Sequence, residues 1–288
     1  MSECRGRRPR WRPGTALAGC GWLLASGCAM SAPPAADTLA AGAAAPAEAA
    51  AGAVDAEARA AVAALDAGAG DVASLRRGMR ALFAAAELRL QRGVAAWLVA
   101  RPAAKLPDVL AADDAVGDDV RQDVVSLCER GLECADRLLG SAPEDVDAML
   151  HRGSHLSLLA WAKGPARALL AGYGPKLAAA IEAAVAVDPA FDGASPLRLL
   201  GRFRSRAPWP YGDLSAARKA LARAVELAPF VVNHLFYGDA LAAAGELAAA
   251  REQWDLATTA GCDATTSASA PLLREQAAAR LRASLVRD

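Results

Sequence analysis

Two histidines have the spacing that most suggests chemistry. His151 and His155 lie four residues apart in a periodic apolar segment, so both project from one face of a predicted helix. Two imidazoles placed in this way can share a metal ion. No third residue of a metal-ligating type lies nearby in sequence, and the remaining histidine, His234, belongs to a different segment. We therefore predict no metal site and expect the pair to line a groove or the surface.

The six cysteines form no C-x-x-C pair, which argues against zinc-ribbon and thioredoxin-type sites. Cys128 and Cys134 are six residues apart on one predicted helix, so they point to different sides and cannot pair with each other. A bridge from Cys262 to one of them stays open in an oxidising compartment. Buried, small apolar thiols are the favoured interpretation.

Other signatures of catalysis are missing from the sequence. It contains no G-x-S-x-G, no P-loop and no dinucleotide-binding fingerprint. The carboxylates between Asp113 and Asp119 lack EF-hand spacing and are expected to be a solvated loop cluster. The formal net charge is +0, whereas a nucleic-acid-binding protein needs a basic face. We predict a protein that is not an enzyme, needs no cofactor and binds no nucleic acid.

A repeated pattern of small and large residues predicts the architecture that positions these side chains. Ala217, Leu221 and Ala224 return 33 residues later as Ala250, Trp254 and Ala257. Small, large and small residues at this spacing make a narrow ridge on a helix, typical of the inner helix of a tetratricopeptide repeat. Gly201 and Gly238 are predicted to be the close-contact positions of the facing helices. The sequence therefore predicts an all-α solenoid of stacked hairpins, with about 9–11 helices.

Three prolines mark the ends of repeat helices. Pro143, Pro189 and Pro229 each follow a ridge of small and apolar residues, at intervals of 46 and 40 residues. A tetratricopeptide repeat has about 34 residues, so the surplus must lie in loops. The clearest repeats fall between residues 120 and 260. A last helix near Pro271 should cap the array, with Arg274, Arg280 and Arg282 in solvent.

One insertion carries two aromatic residues between prolines and glycine. Trp209 and Tyr211 lie in the segment from Arg206 to Asp213, and Asp213 is placed to cap the following helix. The two aromatics either line a ligand mouth or partner contact, or cover the edge between repeats. Trp161 is a further candidate for lining a ligand or partner site, although core packing is favoured for it.

The N-terminus predicts export and lipidation. Five arginines among the first twelve residues precede an apolar segment that ends at Leu24-Ala25-Ser26-Gly27-Cys28. We predict a lipoprotein signal peptide over residues 1–27, with Cys28 lipidated in preference to Cys20; an ordinary signal peptide is the alternative. Residues 28–56, rich in Ala and Pro, are predicted to be a flexible tether. Residues 57–288 are predicted to form the helical domain.

The order of these features resembles a known family. Three successive parts of the sequence are similar to the T component of TRAP transporters. They are the segment Ser195–Arg202, the turn from Ala207 to Asp213 and the helix from Ala217 to Pro229. Members of that family are exported, often lipidated, all-helical proteins with degenerate tetratricopeptide-like repeats. The resemblance implies a periplasmic protein, anchored to the outer membrane, that binds the solute-binding protein or a small ligand of an organic-acid transporter. It implies no catalysis and leaves oligomerisation open. A generic scaffold for envelope proteins is the alternative.

Overall fold

The computed structural model describes the backbone of residues 37–286 and the side chains of residues 48–286. The predicted signal peptide and the lipidation site Cys28 lie outside these residues. The chain is 80% helical, with 12 α-helices and no β-strand among the residues described. The all-α prediction is confirmed, with one helix more than the upper predicted number. In this part of the chain no helix is long and apolar enough to cross a membrane.

The helices follow one another with short connections. They are α1 (Asp37–Asp66), α2 (Val72–Ala100), α3 (Leu106–Leu110), the 3-10 helix η1 (Ala112–Ala115), α4 (Asp118–Ser141), α5 (Val146–Lys163), α6 (Pro165–Leu170), α7 (Tyr173–Val187), α8 (Phe191–Arg206), α9 (Leu214–Leu227), α10 (Val231–Ala243), α11 (Leu247–Thr259) and α12 (Ala270–Leu285).

The predicted tether is wrong over residues 37–56, because α1 begins at Asp37 rather than near Glu57. Alanine has the highest helix propensity, so a segment rich in alanine can be helical without large apolar residues. Ala51 is buried and Val54 packs against the core that α1 shares with α2 and α4. Asp55 also accepts a hydrogen bond from Arg89 of α2 at 2.8 Å. This part of α1 therefore belongs to the folded domain.

The repeat positions make the contacts that their spacing predicts. Gly201 of α8 faces Leu221 of α9 so closely that a side chain at Gly201 would overlap the leucine. In the next hairpin, Gly238 of α10 faces Trp254 of α11. The small ridge residues Ala217, Ala224, Ala250 and Ala257 are fully buried, as are Leu221 and Trp254. Each hairpin is thus joined by one large side chain seated against a glycine.

Five helices form a closed inner ring, which the sequence did not predict. In ring order, α2 packs against α5, α5 against α8, α8 against α10, α10 against α12, and α12 returns to α2. The outer layer consists of α1, α4, α7, α9 and α11. The closing contact is partly polar, because buried Gln276 of α12 donates a hydrogen bond to Gln91 of α2. The last helix therefore joins the two ends of the array instead of capping an open one.

The inner helices run parallel, so their C-terminal ends share one end of the ring. Gln91 meets Gln276, and further along the same two helices Leu98 lies in one apolar cluster with Ala283. Arg198 and Arg202 of α8 likewise meet Asn233 and then Asp239 of α10. We call this side the C-terminal end of the ring.

The segment α3–η1 crosses the C-terminal end of the ring. Asp113 of η1 pairs with Arg206 of α8 at 2.7 Å, and α3 packs against α12. Arg121 of α4 fastens the segment by donating to the carbonyl oxygens of Asp114 and Val116. Asp113, predicted to be solvated, is therefore half-buried and ion-paired. Helix α4 begins at Asp118, and its N-terminus has no side-chain cap.

Helix α8 starts with an unusual left-handed turn. Asp192, Gly193 and Ala194 have φ of 46°, 67° and 61°. Left-handed backbone is unfavourable for residues with a Cβ atom, so neighbouring groups must hold it. Asn233 donates to the Gly193 carbonyl at 3.1 Å, and Thr265 donates to the Asp192 carboxylate at 2.7 Å. This turn fixes the direction in which α8 enters the ring.

Candidate binding site inside the helical ring

Glu87 of α2 is a ring carboxylate that has no partner among the described residues. It is half-buried, and no described residue forms a hydrogen bond or ion pair with it. Its nearest charges are Arg198 of α8 and Asp263 of the loop before α12. Helices α2 and α8 are not neighbours in the ring, so these groups act on each other across its interior.

The surroundings of Glu87 favour its neutral form. Burial of the carboxyl raises its pKa to about 7; Arg198 opposes this shift and Asp263 adds to it. Taking a carboxylate out of water favours the protonated acid, because the charge loses its hydration. Near neutral pH, about half of the molecules therefore carry a proton on Glu87. The protonated group can donate a hydrogen bond, and the ionised group can only accept one.

Arg198 is held rigidly where it faces Glu87. One terminal nitrogen donates to Asn233 Oδ1 at 3.1 Å and to the Gly193 carbonyl at 3.3 Å, and it also lies 3.5 Å from Asp263 Oδ2. The other terminal nitrogen donates to Ser195 Oγ. Arg198 is 9% exposed, so the charge of its guanidinium lies in a poorly hydrated environment. The network fixes the guanidinium of Arg198, paired with Asp263, at one wall of the ring.

A second charged network joins three of the inner helices. Arg280 of α12 and Arg202 of α8 both pair with Asp239 of α10, at 2.6 Å and 3.3 Å. Trp254 Nε1 of α11 also donates to Asp239, at 3.1 Å. Arg280 is 4% exposed, which contradicts the expectation that it lies in solvent. Because the fold turns α12 inwards, a side chain that would be on the outside of an open array becomes interior.

The arginines of this network also act on Asp113. Burial opposes ionisation of its carboxyl, but Arg202 and Arg206 outweigh that effect and hold the pKa of Asp113 below its usual value. Arg202 further stacks over the ring of Phe236, with its guanidinium carbon 4.6 Å from the ring centroid. Asp113 and Asp239 both have arginine partners, although Asp113 Oδ1 accepts no hydrogen bond, whereas Glu87 has no ion-pair partner among the described residues.

His151 and His155 do not line a groove or the surface, contrary to prediction, because α2 covers the face of α5 that carries them. His151 is 2% exposed and His155 is fully buried. Both rings pack edge-on against Phe83 of α2, with centroids 5.7 Å apart in each case. Residues 48–286, whose side chains are described, contain no group of three or more His, Cys, Asp or Glu arranged to hold a metal ion.

Burial keeps His155 neutral. Desolvation, with a smaller effect of His151, lowers the pKa of His155 to about 3. Its Nε2–H donates to the Met79 carbonyl at 3.0 Å, while Nδ1 has no partner. The ring lies flush against Gly131 of α4, where no Cβ atom would fit. His155 therefore joins α5 to α2 and α4, and it packs against a glycine as Leu221 and Trp254 do in later hairpins.

The three predicted aromatic residues lie in separate surroundings. Trp161, at the end of α5, is half-buried beneath Arg121, whose guanidinium carbon is 4.5 Å from the ring centroid. Tyr211 packs against Phe203, with centroids 5.8 Å apart, and its ring lies on Gly174 of α7. Trp209 is 89% exposed and so does not cover an edge between repeats. Asp213 caps α9, as predicted, by accepting from the Ala216 amide at 3.0 Å.

The cysteines agree with the interpretation as buried thiols. Cys128 and Cys134 are fully buried in different apolar clusters, and neither they nor Cys262 form a disulfide. Burial raises the pKa of both buried thiols, that of Cys134 to about 11. Thiolate chemistry is thereby suppressed at both positions.

A shallow cavity of about 210 Å³ lies outside the ring, between α1, α2 and α4. Small-molecule sites are usually larger, at about 300–1,000 Å³, and contain convergent polar groups. The cavity is lined by Ala58, Val62, Ala85 and Leu127 together with the charged residues Asp55, Arg59 and Arg89, of which Asp55 and Arg89 pair with each other. The burial and charge of Glu87 and Arg198 are the grounds on which we place the candidate site inside the ring.

Comparison with known proteins assigns no family. No family model matches the chain, and no curated protein matches it.

Proposed function

We propose that the protein is a non-enzymatic binding protein whose ring of helices takes up a small organic anion. The unpaired carboxyl of Glu87, facing Arg198 across the ring, carries this proposal. Half-buried carboxyls with a raised pKa and no protein partner concentrate at functional sites. A ligand that accepts a hydrogen bond from protonated Glu87 gives that carboxyl a partner, and Arg198, which already pairs with Asp263 at 3.5 Å, contributes a long-range attraction.

A carboxylate has the chemistry for this position. Protonated Glu87 donates a short hydrogen bond to the ligand's carboxylate, and Arg198 supplies the compensating positive charge. Asp263 disfavours a large excess of negative charge, which favours small acids over polyanions. The other arginines of the interior, Arg202 and Arg280, are already paired with Asp239 and Asp113.

The transporter role follows from the resemblance to TRAP T components and from the anchor predicted at Cys28. In this role, the protein is tethered to the outer membrane in the periplasm and associates with the solute-binding protein of an organic-acid transporter. Stacked helical hairpins with an exposed loop, such as the one bearing Trp209, suit protein recognition. Genes for a solute-binding protein and permease subunits beside this gene support the role, and their absence counts against it.

Isothermal titration with succinate at about pH 6 and about pH 8 tests the site, because Glu87 changes protonation between them. We expect tighter binding at the lower pH, with proton uptake. The Glu87→Gln variant keeps a hydrogen-bond donor without a titrating group, so it should bind with little pH dependence. The Glu87→Leu variant should bind about tenfold more weakly.

Two results would contradict the proposed ligand class. One is no detectable succinate binding at either pH. The other is binding of an amine such as putrescine that strengthens as the pH rises, because ionised Glu87 and Asp263 would then form a cation site.

A further inference from the structure

The large apolar side chains with the greatest exposure all lie at the C-terminal end of the ring. Among the residues described, six have an exposed fraction of 63% or more: Val99, Leu169, Leu170, Trp209, Leu285 and Val286. Val99 and Leu285 end α2 and α12, α6 follows α5, and Trp209 follows α8. Since these inner helices are parallel, residues at their C-terminal ends face the same side of the molecule.

Three of the six form one patch. A Cβ atom at Gly174 would lie 2.7 Å from Cε2 of Tyr211, so the Trp209 loop rests on the first turn of α7. Leu169 and Leu170 end α6 just before that turn and are 78% and 88% exposed. Arg204 holds the loop by donating to the Tyr211 carbonyl at 3.1 Å. We call Leu169, Leu170 and Trp209 the rim patch.

Charged residues at this end are distributed unevenly. Arg101, Arg167 and Arg282 are exposed close to the apolar residues of α2, α6 and α12. The exposed carboxylates, such as Asp108, Asp114 and Asp119, are concentrated between α3 and the start of α4. A protein surface with leucine and tryptophan flanked by arginine binds favourably at the boundary between lipid headgroups and acyl chains.

The first residues of α1 lie on the same side. Asp55 of α1 meets Arg89 of α2, and Ala61 lies beside Gly78, so the two helices are antiparallel. Followed back to Asp37, α1 therefore leads towards the end of α2, at the C-terminal end of the ring. Cys28 precedes Asp37 by nine residues. A lipid on Cys28 would thus bring this end of the ring close to the bilayer.

We propose that the C-terminal end of the ring lies against the phospholipid surface, with the rim patch in the interfacial layer. The argument from the direction of α1 holds only if Cys28 carries the lipid, so it rests on the proposed anchor. The argument from the rim patch is independent of the anchor. The contact orients the domain, and the opposite end of the ring faces away from the membrane. It adds a second membrane contact to the anchor.

Vesicle sedimentation of the full chain tests the contact in the Cys20→Ser/Cys28→Ser background, which has no acyl group. The vesicles contain equal parts of phosphatidylethanolamine and phosphatidylglycerol. The rim variant carries Leu169→Ser, Leu170→Ser and Trp209→Ser. The control variant carries Val187→Ser, Leu227→Ser and Leu256→Ser, three exposed apolar residues of the outer helices α7, α9 and α11.

We expect the vesicle partition coefficient of the rim variant to be lower by about tenfold or more, with the control within about twofold of the parent chain. Circular dichroism confirms that each variant folds. Equal partitioning of rim variant and parent, or no vesicle binding by the parent, would overturn the contact. A rim variant that binds vesicles normally but loses a co-purifying solute-binding protein would assign the patch to a protein partner instead.

Fractionation of the chain with intact cysteines separates this proposal from the anchor. If that chain is soluble while the rim patch still governs vesicle binding, the lipid anchor is wrong and the rim contact stands. If that chain fractionates with membranes while the rim variant and its parent partition equally onto vesicles, the lipid anchor stands and the rim contact is wrong.

Discussion

Replacing Gly238 by alanine perturbs the contact on which the last hairpin depends. A Cβ atom at this position would lie 2.5 Å from Cδ1 and Nε1 of Trp254, and 3.1 Å from the carbonyl oxygen of Ala250. The backbone oxygen cannot move without shifting α11, and the indole is fully buried. The added methyl group must therefore push α10 and α11 apart.

The magnitude follows from three contributions. Overpacking a well-filled contact costs about 1–3 kcal/mol. Displacement of Trp254 also weakens its 3.1 Å hydrogen bond to Asp239, an interaction with a charged group that contributes about 1.5–3 kcal/mol. The better helix propensity of alanine offsets about 1 kcal/mol. We expect Gly238→Ala to lower the free energy of unfolding by about 2–4 kcal/mol.

The control is Gly140→Ala in α4, where no atom lies within 4 Å of the new Cβ position. Only helix propensity acts there, so this variant should be more stable by up to about 1 kcal/mol. Urea denaturation followed by circular dichroism gives both values. A Gly238→Ala variant as stable as the parent would refute the close packing of α10 on α11.

Two further predictions concern buried titratable groups. His155 has a pKa of about 3 in the fold against 6.5 when unfolded, so the unfolded chain binds more protons between these values and the free energy of unfolding decreases as pH falls through that range. Denaturation curves should show a smaller decrease for His155→Gln than for the parent. An equal dependence of the free energy of unfolding on pH in both proteins would contradict burial of the neutral ring. Cys262 is half-exposed, whereas Cys128 and Cys134 are buried. The Cys262→Ser variant should therefore lose the rapid phase of thiol labelling that residues 48–286 contribute. Rapid labelling of Cys128 or Cys134 in this variant would contradict their burial.

The hairpins were predictable from sequence because their signals are local. Helix periodicity, the small ridge of Ala217 and Ala224, and the cap at Asp213 each depend on a few neighbouring residues. The contacts of Gly201 and Gly238 follow from the same patterns. The 33-residue echo thus gave the correct pairing of α8 with α9 and of α10 with α11.

Closure of the ring was not predictable, because it depends on rotations accumulated over all the repeats. No local pattern reveals that α12 returns to α2, so Arg280 was expected in solvent and lies instead beside Asp239. Glu87 was missed for a related reason: one glutamate in an alanine-rich helix is typical of a solvated face. Its significance appears only when α8 places Arg198 opposite.

The incorrect predictions for the two histidines and for the tether both concern burial. The helix that covers His151 and His155 lies before the recognisable repeats, in a region whose register the sequence left undefined. The tether was predicted from the lack of large apolar residues, whereas helix α1 packs through Ala51, Ala58 and other small residues against α2 and α4. Alanine offers little hydrophobic area but permits close helix contact.

The distance between the ends of α2 and α12 tests the closed ring most directly. Spin labels at Val99→Cys and Leu285→Cys, both 69% exposed, report it by pulsed electron resonance once the other accessible cysteines are serine. Neighbouring helix axes lie about 8–10 Å apart. The closed ring predicts a label separation of about 10–20 Å, whereas a separation near 40 Å, as expected for five inner helices in an open row, would contradict it.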